Sequence, residues 1–406
     1  MLGKRGAGPG HEGSSLPSAS ASAVVQARGQ ASALRVLQVV TKLDLGGAES
    51  VAIDLVGALH EQVDFAVFGV FALAEPSRVG RDMAERLARW RVPFFAGTAG
   101  HFKKGGALVA AWRLARAVGR FRADVVHLHT EVPELTFAIA TLLSPALRKV
   151  RVVRTVHNCE LWIEWAGVGR WVTQRLARGT AVAVSEVAAD ADAAIATRSP
   201  RPRARVVANG VTPPPLATRL SSSPYRLLFA ARFVPAKGAD LVPAVLAAAH
   251  AVTPRRDVEV TIAGTGPLEA QMRVELASAA PGWTIQVVPP IEQLGQRLGE
   301  WDGVLMPSRF EGLPLLAIEV LLAGVPLAAT DAPGLAEVIP ADYPLRAPVD
   351  DVAALGAVLA RMIDDPDAAR AQVTPLRDGM IARFSPERMA ASYAGIYPAL
   401  AGEKQA

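Results

Sequence analysis

Thr212-Pro-Pro-Pro-Leu-Ala-Thr-Arg-Leu-Ser-Ser-Ser223 divides this chain into two halves of similar design. Three consecutive prolines and three consecutive serines suit neither a helix interior nor a central strand, so the stretch reads as a linker. On both sides of it the same rhythm recurs. Before it, short runs rich in Val, Leu, Ile and Phe at residues 34–40, 65–70, 124–129, 150–156 and 181–184 read as strands. Helical stretches such as 49–60 and 107–121 lie between them. After the linker, strands are expected at 226–231, 258–263, 284–288, 303–306 and 326–329. Strand and helix in alternation argue for parallel sheets covered on both faces. The expected fold class is therefore α/β, with two Rossmann-like doubly wound domains facing a cleft. Residues 34–215 form the first domain and 216–384 the second. Ser385-Pro-Glu387 reads as a cap followed by proline at the first helical position, opening a last helix at about 385–400 that completes the first domain. In such sheets ligands gather at the carboxyl ends of the strands, which makes the cleft the expected site.

Composition narrows the class. Of 406 residues, 51% are hydrophobic and 20% charged, enough apolar material for two ordinary cores. The formal charge of +5 suits anionic ligands such as phosphates or lipid head groups, although scattered solvated arginines give the same number. A single cysteine, Cys159, excludes an intramolecular disulfide framework and fits a reducing cytoplasm. The longest apolar run, 312–330, contains Glu319, Gly324 and two prolines, a poor match to the ~20 apolar residues of a membrane span. Residues 1–33, rich in Gly, Ser, Ala and Pro, lack a secretory apolar core. They read as a disordered tail or as a start codon placed too early.

Three segments carry chemistry. Pro307-Ser-Arg-Phe-Glu-Gly-Leu-Pro-Leu-Leu-Ala-Ile-Glu319 leaves a strand and enters a helix. Glu311 precedes that helix, and Glu319 is the only ionisable side chain between Gly312 and Thr330. A lone carboxylate in so apolar a helix needs donors, because burying an unpaired charge is costly. A ribose diol would supply two of them, whereas a structural arginine would make the residue merely architectural. The free N–H groups at the helix start beside Glu311 suit phosphate. Phe229-Ala-Ala-Arg-Phe-Val-Pro-Ala-Lys-Gly238 places Arg232 and Lys237 just past a strand. A forked donor and a point charge together can grip a diphosphate and neutralise it as it leaves, without demanding a metal. In Asp44-Leu-Gly-Gly-Ala-Glu49, two glycines allow close backbone approach to an anion at the next helix start.

In this order the segments resemble the family 4 retaining glycosyltransferases, which adopt the GT-B fold, over about 34–400. Asp124-Val-Val-His-Leu-His129, Thr155-Val-His157, Ala183-Val-Ser185, Asn209-Gly-Val211, Ala263-Gly-Thr-Gly-Pro-Leu-Glu269 and Thr330-Asp-Ala-Pro-Gly-Leu-Ala-Glu337 add to the match. The resemblance implies an acceptor-side first domain and a second domain that binds a nucleotide diphosphate sugar, UDP- or GDP-linked. Arg232 and Lys237 would hold the diphosphate, with the backbone of Gly312 and Leu313 beside it. Glu319 would bind the ribose, and Glu311 the donor sugar. Gly46 and Gly47 would close from the first domain, and His157 matches the family's cleft histidine. The acceptor would be a saccharide or a lipid-linked intermediate of cell-surface polysaccharide assembly. No metal, cofactor or nucleic acid is implied.

Two positions depart from the family pattern. Val287-Val-Pro-Pro290 replaces a glycine usual near the nucleobase, and Thr212 stands where an Asp usually follows Asn-Gly-Val. His127 and His129, two apart on a strand, face one side and could hold a metal or line the acceptor pocket. Cys159 beside His157 invites a thiol-nucleophile reading, but no third orienting member is legible. Gly264-Thr-Gly266 starts a dinucleotide fingerprint, yet Glu269 occupies the third glycine position, against a nicotinamide oxidoreductase. A sugar-nucleotide epimerase of the same fold and a non-catalytic nucleotide-sugar-binding protein are the rival readings. Basic groups at 101–104, 148–151 and 198–205, with Phe102 among them, suit equally contact with anionic lipid at the inner membrane face and plain solvated loops of a cytoplasmic protein.

Overall fold

The structure, a computed structural model, describes residues 34–44, 46–71, 77–217 and 223–402. The expected tail at 1–33 and residues 218–222 of the linker lie outside the described residues. The first sheet comprises β1 (Arg35–Lys42), β2 (Asp64–Phe71), β3 (Phe94–Thr98), β4 (Val125–His129), β5 (Arg151–Val156), β6 (Thr180–Ala183) and β7 (Arg205–Val206). Its order is β3-β2-β1-β4-β5-β6-β7, and neighbouring strands pair in parallel. The second comprises β8 (Tyr225–Arg232), β9 (Val258–Thr265), β10 (Thr284–Val288), β11 (Gly303–Met306), β12 (Leu327–Thr330) and β13 (Arg346–Ala347). Its order, β10-β9-β8-β11-β12-β13, repeats the doubly wound pattern, again in parallel. Every strand expected from sequence is present. The short β3, β7 and β13 come in addition to those expected.

In both sheets the strand order reverses beside the first strand of the domain, between β1 and β4 and between β8 and β11. That reversal opens a crevice at the carboxyl ends of those strands. The loops that leave them include the Gly46-Gly47 loop, the Arg232–Lys237 loop and the Pro307–Gly312 loop. The segments singled out for chemistry thus lie where this topology places ligands.

Two strands of chain cross between the domains side by side. The Val211 N–H donates to the Phe384 carbonyl at 2.8 Å. A β-carbon added at Gly210 would lie 2.4 Å from Pro386 Cα, so only glycine permits this crossing. The helix Pro386–Gly402 then buries Met389, Tyr393, Ile396 and Tyr397 against the β1–β2 face and the helix Gly47–Leu59. As expected, Ser385 caps it, accepting from the Arg388 N–H at 3.0 Å.

Candidate active site

The Lys237 loop is fastened to the Glu311 loop. The Arg309 N–H donates to the Ala236 carbonyl at 2.9 Å, and its guanidinium reaches the Pro235 carbonyl and the Asp240 carboxylate, at 2.7 and 2.8 Å. Gly238, at φ +63°, lies so close to the Pro307 carbonyl that a β-carbon would be 1.8 Å from its oxygen. The glycine is required here both by conformation and by space. Lys237 Nζ consequently meets Glu311 Oε2 at 2.5 Å, and Ser308 Oγ donates to the other carboxylate oxygen at 2.8 Å. Glu311 is only 6% exposed, so both oxygens are satisfied from within the second domain. Arg232 ends β8 exposed, and its side chain has no partner among the described residues.

Glu319 lies in the helix Leu315–Leu322, partly buried and without a side-chain partner among the described residues. Gly295 faces it: a β-carbon there would be 3.2 Å from its Oε1. Burial, with a smaller contribution from the Asp54 carboxylate, pushes its pKa up to about 7. No structural arginine among the described residues meets it.

From the first domain, Gly46 sits under the Glu49 carboxylate, where a β-carbon would be 2.1 Å from Oε2. Glu49 is thus folded back over the start of its own helix, an anion where a phosphate was expected to approach. Burial raises its pKa, opposed by backbone N–H donation and by Lys42. Gly47 is exposed and lies next to Leu315 of the second domain; a β-carbon there would be 3.5 Å from Leu315 Cδ1. Gly312 closes against the other wall. A β-carbon on it would be 2.0 Å from the His157 carbonyl oxygen and 3.1 Å from Asn158 Cα. Leu313 is buried.

Sequence reasoning missed the support behind His157. Gln38, His127, His129, Thr155 and His157 fall on one face of adjacent strands, since Gln38 pairs with His127 and His129 with Thr155 in register. Tyr393 and Tyr397 of the last helix cover that face. Gln38 Nε2 donates to Tyr397 Oη at 3.1 Å, so its carbonyl oxygen accepts from His129 Nε2–H at 2.7 Å. Neutral His129 then accepts at Nδ1 from His157 Nε2–H at 3.0 Å. On the other branch the Tyr397 hydroxyl hydrogen-bonds His127 Nδ1 at 2.8 Å. His127 Nε2 and Thr155 Oγ1 share a hydrogen bond at 2.7 Å, as do Thr155 Oγ1 and Tyr393 Oη at 2.8 Å. Burial holds His127 and His129 well below the usual histidine range and lowers His157 to about 4, so all three are neutral near pH 7. His157 Nδ1 is left bare, with no partner among the described residues.

His127 and His129, offered by the sequence as acceptor-pocket residues, lie instead inside the network. They are 0% and 1% exposed, and all four ring nitrogens are spent inside the network. Among the described residues no group of three or more His, Cys, Asp or Glu is placed to hold a metal. Removing the Tyr397 hydroxyl would strand His127 Nδ1 and a Gln38 N–H. Tyr397→Phe is therefore expected to cost about 1–3 kcal/mol of stability, read as a lower urea midpoint, with a wild-type midpoint refuting the network. Burial pushes the Cys159 thiol up, against its use as a thiolate nucleophile.

A second missed residue bridges the domains: Glu337 accepts from the N–H groups of Glu186 and Val187 at 2.9 and 2.8 Å, at the start of the helix Glu186–Ala193. The expected basic membrane surface is partly consumed. Arg201 pairs with Asp192, Arg203 with Glu186 and Asp190, and the Phe102 ring packs edge-on against Phe71. No described helix is long and apolar enough to cross a membrane.

Comparison with known proteins defines the class. Residues 45–214 match the family model described as Glycosyltransferase Family 4, and residues 224–365 match Glycosyl transferases group 1. The chain belongs to the group 1, family 4 glycosyltransferases, and its two Rossmann-like sheets form a GT-B fold. It is 26% identical over 326 residues to a glycogen synthase of Mycobacterium tuberculosis, covering 74% of this chain and 76% of that one. It is 30% identical over 167 residues to a 2-deoxystreptamine glucosyltransferase of Streptomyces kanamyceticus, covering 40% and 43% of the two chains. Anabaena HepE, solved with UDP and glucose, superposes with a TM-score of 0.72 at 16% identity, over 90% of this chain and 100% of that one.

Proposed function

We propose that this glycosyltransferase is retaining and moves a hexosyl group, glucose first, from UDP to a hydroxyl of a saccharide-class acceptor, free or lipid-linked. The observation that carries this reading is one cleft wall holding three unlike groups. Lys237 is paired with the buried Glu311, Arg232 is a cation without a partner among the described residues, and Glu319 is a carboxylate in the same condition. Arg232 and Lys237 suit the diphosphate, and Glu319 suits the ribose hydroxyls. HepE, captured with UDP and glucose, favours UDP over GDP as the first donor to try. Pro289 and Pro290 withhold backbone donors near the expected nucleobase position, so base selectivity falls to other groups.

In this reading the C–O bond to the β-phosphate breaks as the acceptor oxygen attaches to the same face of the anomeric carbon. The acceptor proton passes to the departing phosphate oxygen. Arg232 and Lys237 neutralise the charge that develops on the diphosphate. His157, neutral with Nδ1 bare, accepts a hydrogen bond from a donor-sugar hydroxyl, and Glu311 orients the ring. Proton NMR of fresh product is expected to show the donor's anomeric configuration, in the presence of EDTA as well as in its absence. An inverted product refutes retention, and loss of activity on chelation with recovery on adding a divalent ion refutes metal independence.

Glu319 sets a pH signature. Ribose hydroxyls donate to the ionised carboxylate, so bound nucleotide pulls its pKa down from about 7. Affinity for UDP should be full above pH 7 and fall by up to about tenfold per unit below it. Glu319→Gln should weaken binding at pH 8 and keep only the nucleotide's own titration. Calorimetry finding equal pH profiles in the two proteins would make Glu319 architectural.

A further inference from the structure

The larger cavity beside His157 is acidic and aromatic, in a chain whose net charge is positive. It measures about 280 Å³ and is walled by Trp162, Trp165 and Leu135, with Glu131, Glu160 and Glu164 around them. Glu131 and Trp162 also line a smaller neighbouring cavity whose wall includes His157 and Asn158. The pocket thus shares two wall residues with the cavity that His157 lines, on the first domain's side of the cleft. Its volume sits at the small end of ligand sites, room for one ring-sized unit.

No cation balances its charge, although the Glu131 carboxylate accepts from its own and the Trp162 backbone N–H. Elsewhere Asp190, Asp240, Glu269 and Glu300 each hold an arginine. Glu131, Glu160 and Glu164 pair with no cation among the described residues, and no Lys, Arg or His lines the cavity. A place in the first turn of the helix Glu131–Leu143 would account for Glu131 through the helix dipole, but Glu160 lies in no helix. Trp162 and Thr130, at the pocket and its neighbour, both hold backbone at positive φ, 56° and 73°, rare for residues with side chains. Ile163 is 69% exposed on the rim. Carboxylates and indoles lining one pocket suit a ring that carries ammonium groups, through charge-assisted hydrogen bonds and cation–π contact. The carboxylates repel phosphate.

We infer that this pocket is the acceptor subsite and takes a cationic amino-sugar or aminocyclitol ring through Glu131, Glu160 and Glu164, with Trp162 and Trp165 as its apolar walls. The assignment rests on the glycosyltransferase reading above and narrows its acceptor to an ammonium-bearing class. One nucleophilic hydroxyl of the ring would be presented toward His157 and the donor sugar.

The test is calorimetry and turnover with a diaminocyclitol, its di-N-acetylated form and a cyclitol phosphate, each with UDP bound. Acetylation removes the charge while keeping the ring. The diamine should bind at least tenfold more tightly than its acetylated form, and the phosphate should not bind. Glu160→Gln/Glu164→Gln, altering exposed carboxylates, should erase the difference while leaving acceptor-free hydrolysis of UDP-glucose unchanged. Equal binding of the charged and acetylated rings, preference for the phosphate, or no binding of the diamine overturns the inference. If the diamine binds as stated but no nucleotide sugar is turned over, the pocket stands and the transferase reading of the donor site fails. Hydrolysis of UDP-glucose with no binding of the diamine means the opposite: the donor site stands and the pocket assignment fails.

Discussion

Arg232→Ala is expected to lower turnover by about 100-fold while leaving the melting temperature unchanged. The size follows from removing one preorganised cation from a departing diphosphate, comparable to deleting one oxyanion donor. The unchanged stability follows from position: Arg232 is exposed at the end of β8, and its side chain has no partner among the described residues. Any loss in this variant therefore reports on the reaction. Lys237→Ala should show a similar loss together with a destabilisation. Its removal leaves Glu311, 6% exposed, without the cation 2.5 Å away. A buried carboxylate stripped of its partner is costly, which is the source of the destabilisation. Stopped assays of UDP release, with thermal unfolding run on the same preparations, separate the two effects. Near-wild-type kinetics in both variants would remove the pair from the donor site.

What sequence could and could not show follows from the range of the contacts. Arg232 and Lys237 lie five positions apart at one strand end, and Glu311 and Glu319 share one loop and helix. Their chemistry could be read from local spacing alone. The histidine network could not. Its members are drawn from β1, β4, β5 and a helix more than 200 residues further on. Period two places His127 and His129 on one face, but it does not say which face, and the tyrosines that cover it lie past the second domain. The same holds for Glu337, whose carboxylate caps a helix of the other domain. Among strands, β13 and β7 have two residues each, too few for any periodic signal, and β3 alternates partly exposed positions rather than forming an apolar run. In sequence, Gly46 reads as room for a ligand's backbone contact. The space above it is filled by Glu49 of its own helix, which a glycine pair in a sequence does not disclose.

Gly312→Ala is the second variant with a large expected effect, and it tests the meeting of the domains. A methyl group at this position would lie 2.0 Å from the His157 carbonyl oxygen and 2.9 Å from its carbon. Both are backbone atoms, which no side-chain rotation can move aside, so the two walls must separate by about an ångström or more. Neither wall need unfold, because the contact joins two domains with separate sheets. His157 would be displaced from the Glu311 loop, and misplacement by about 1 Å can cost about 100-fold in rate. The variant should therefore lose about 100-fold in turnover, with thermal unfolding close to that of the unaltered protein. UDP affinity should change far less than turnover, since Arg232, Lys237 and Glu319 all belong to the second domain. A large loss of UDP affinity with turnover preserved at saturation would place Gly312 in nucleotide binding alone. Full activity would show that catalysis does not pass through this closed contact.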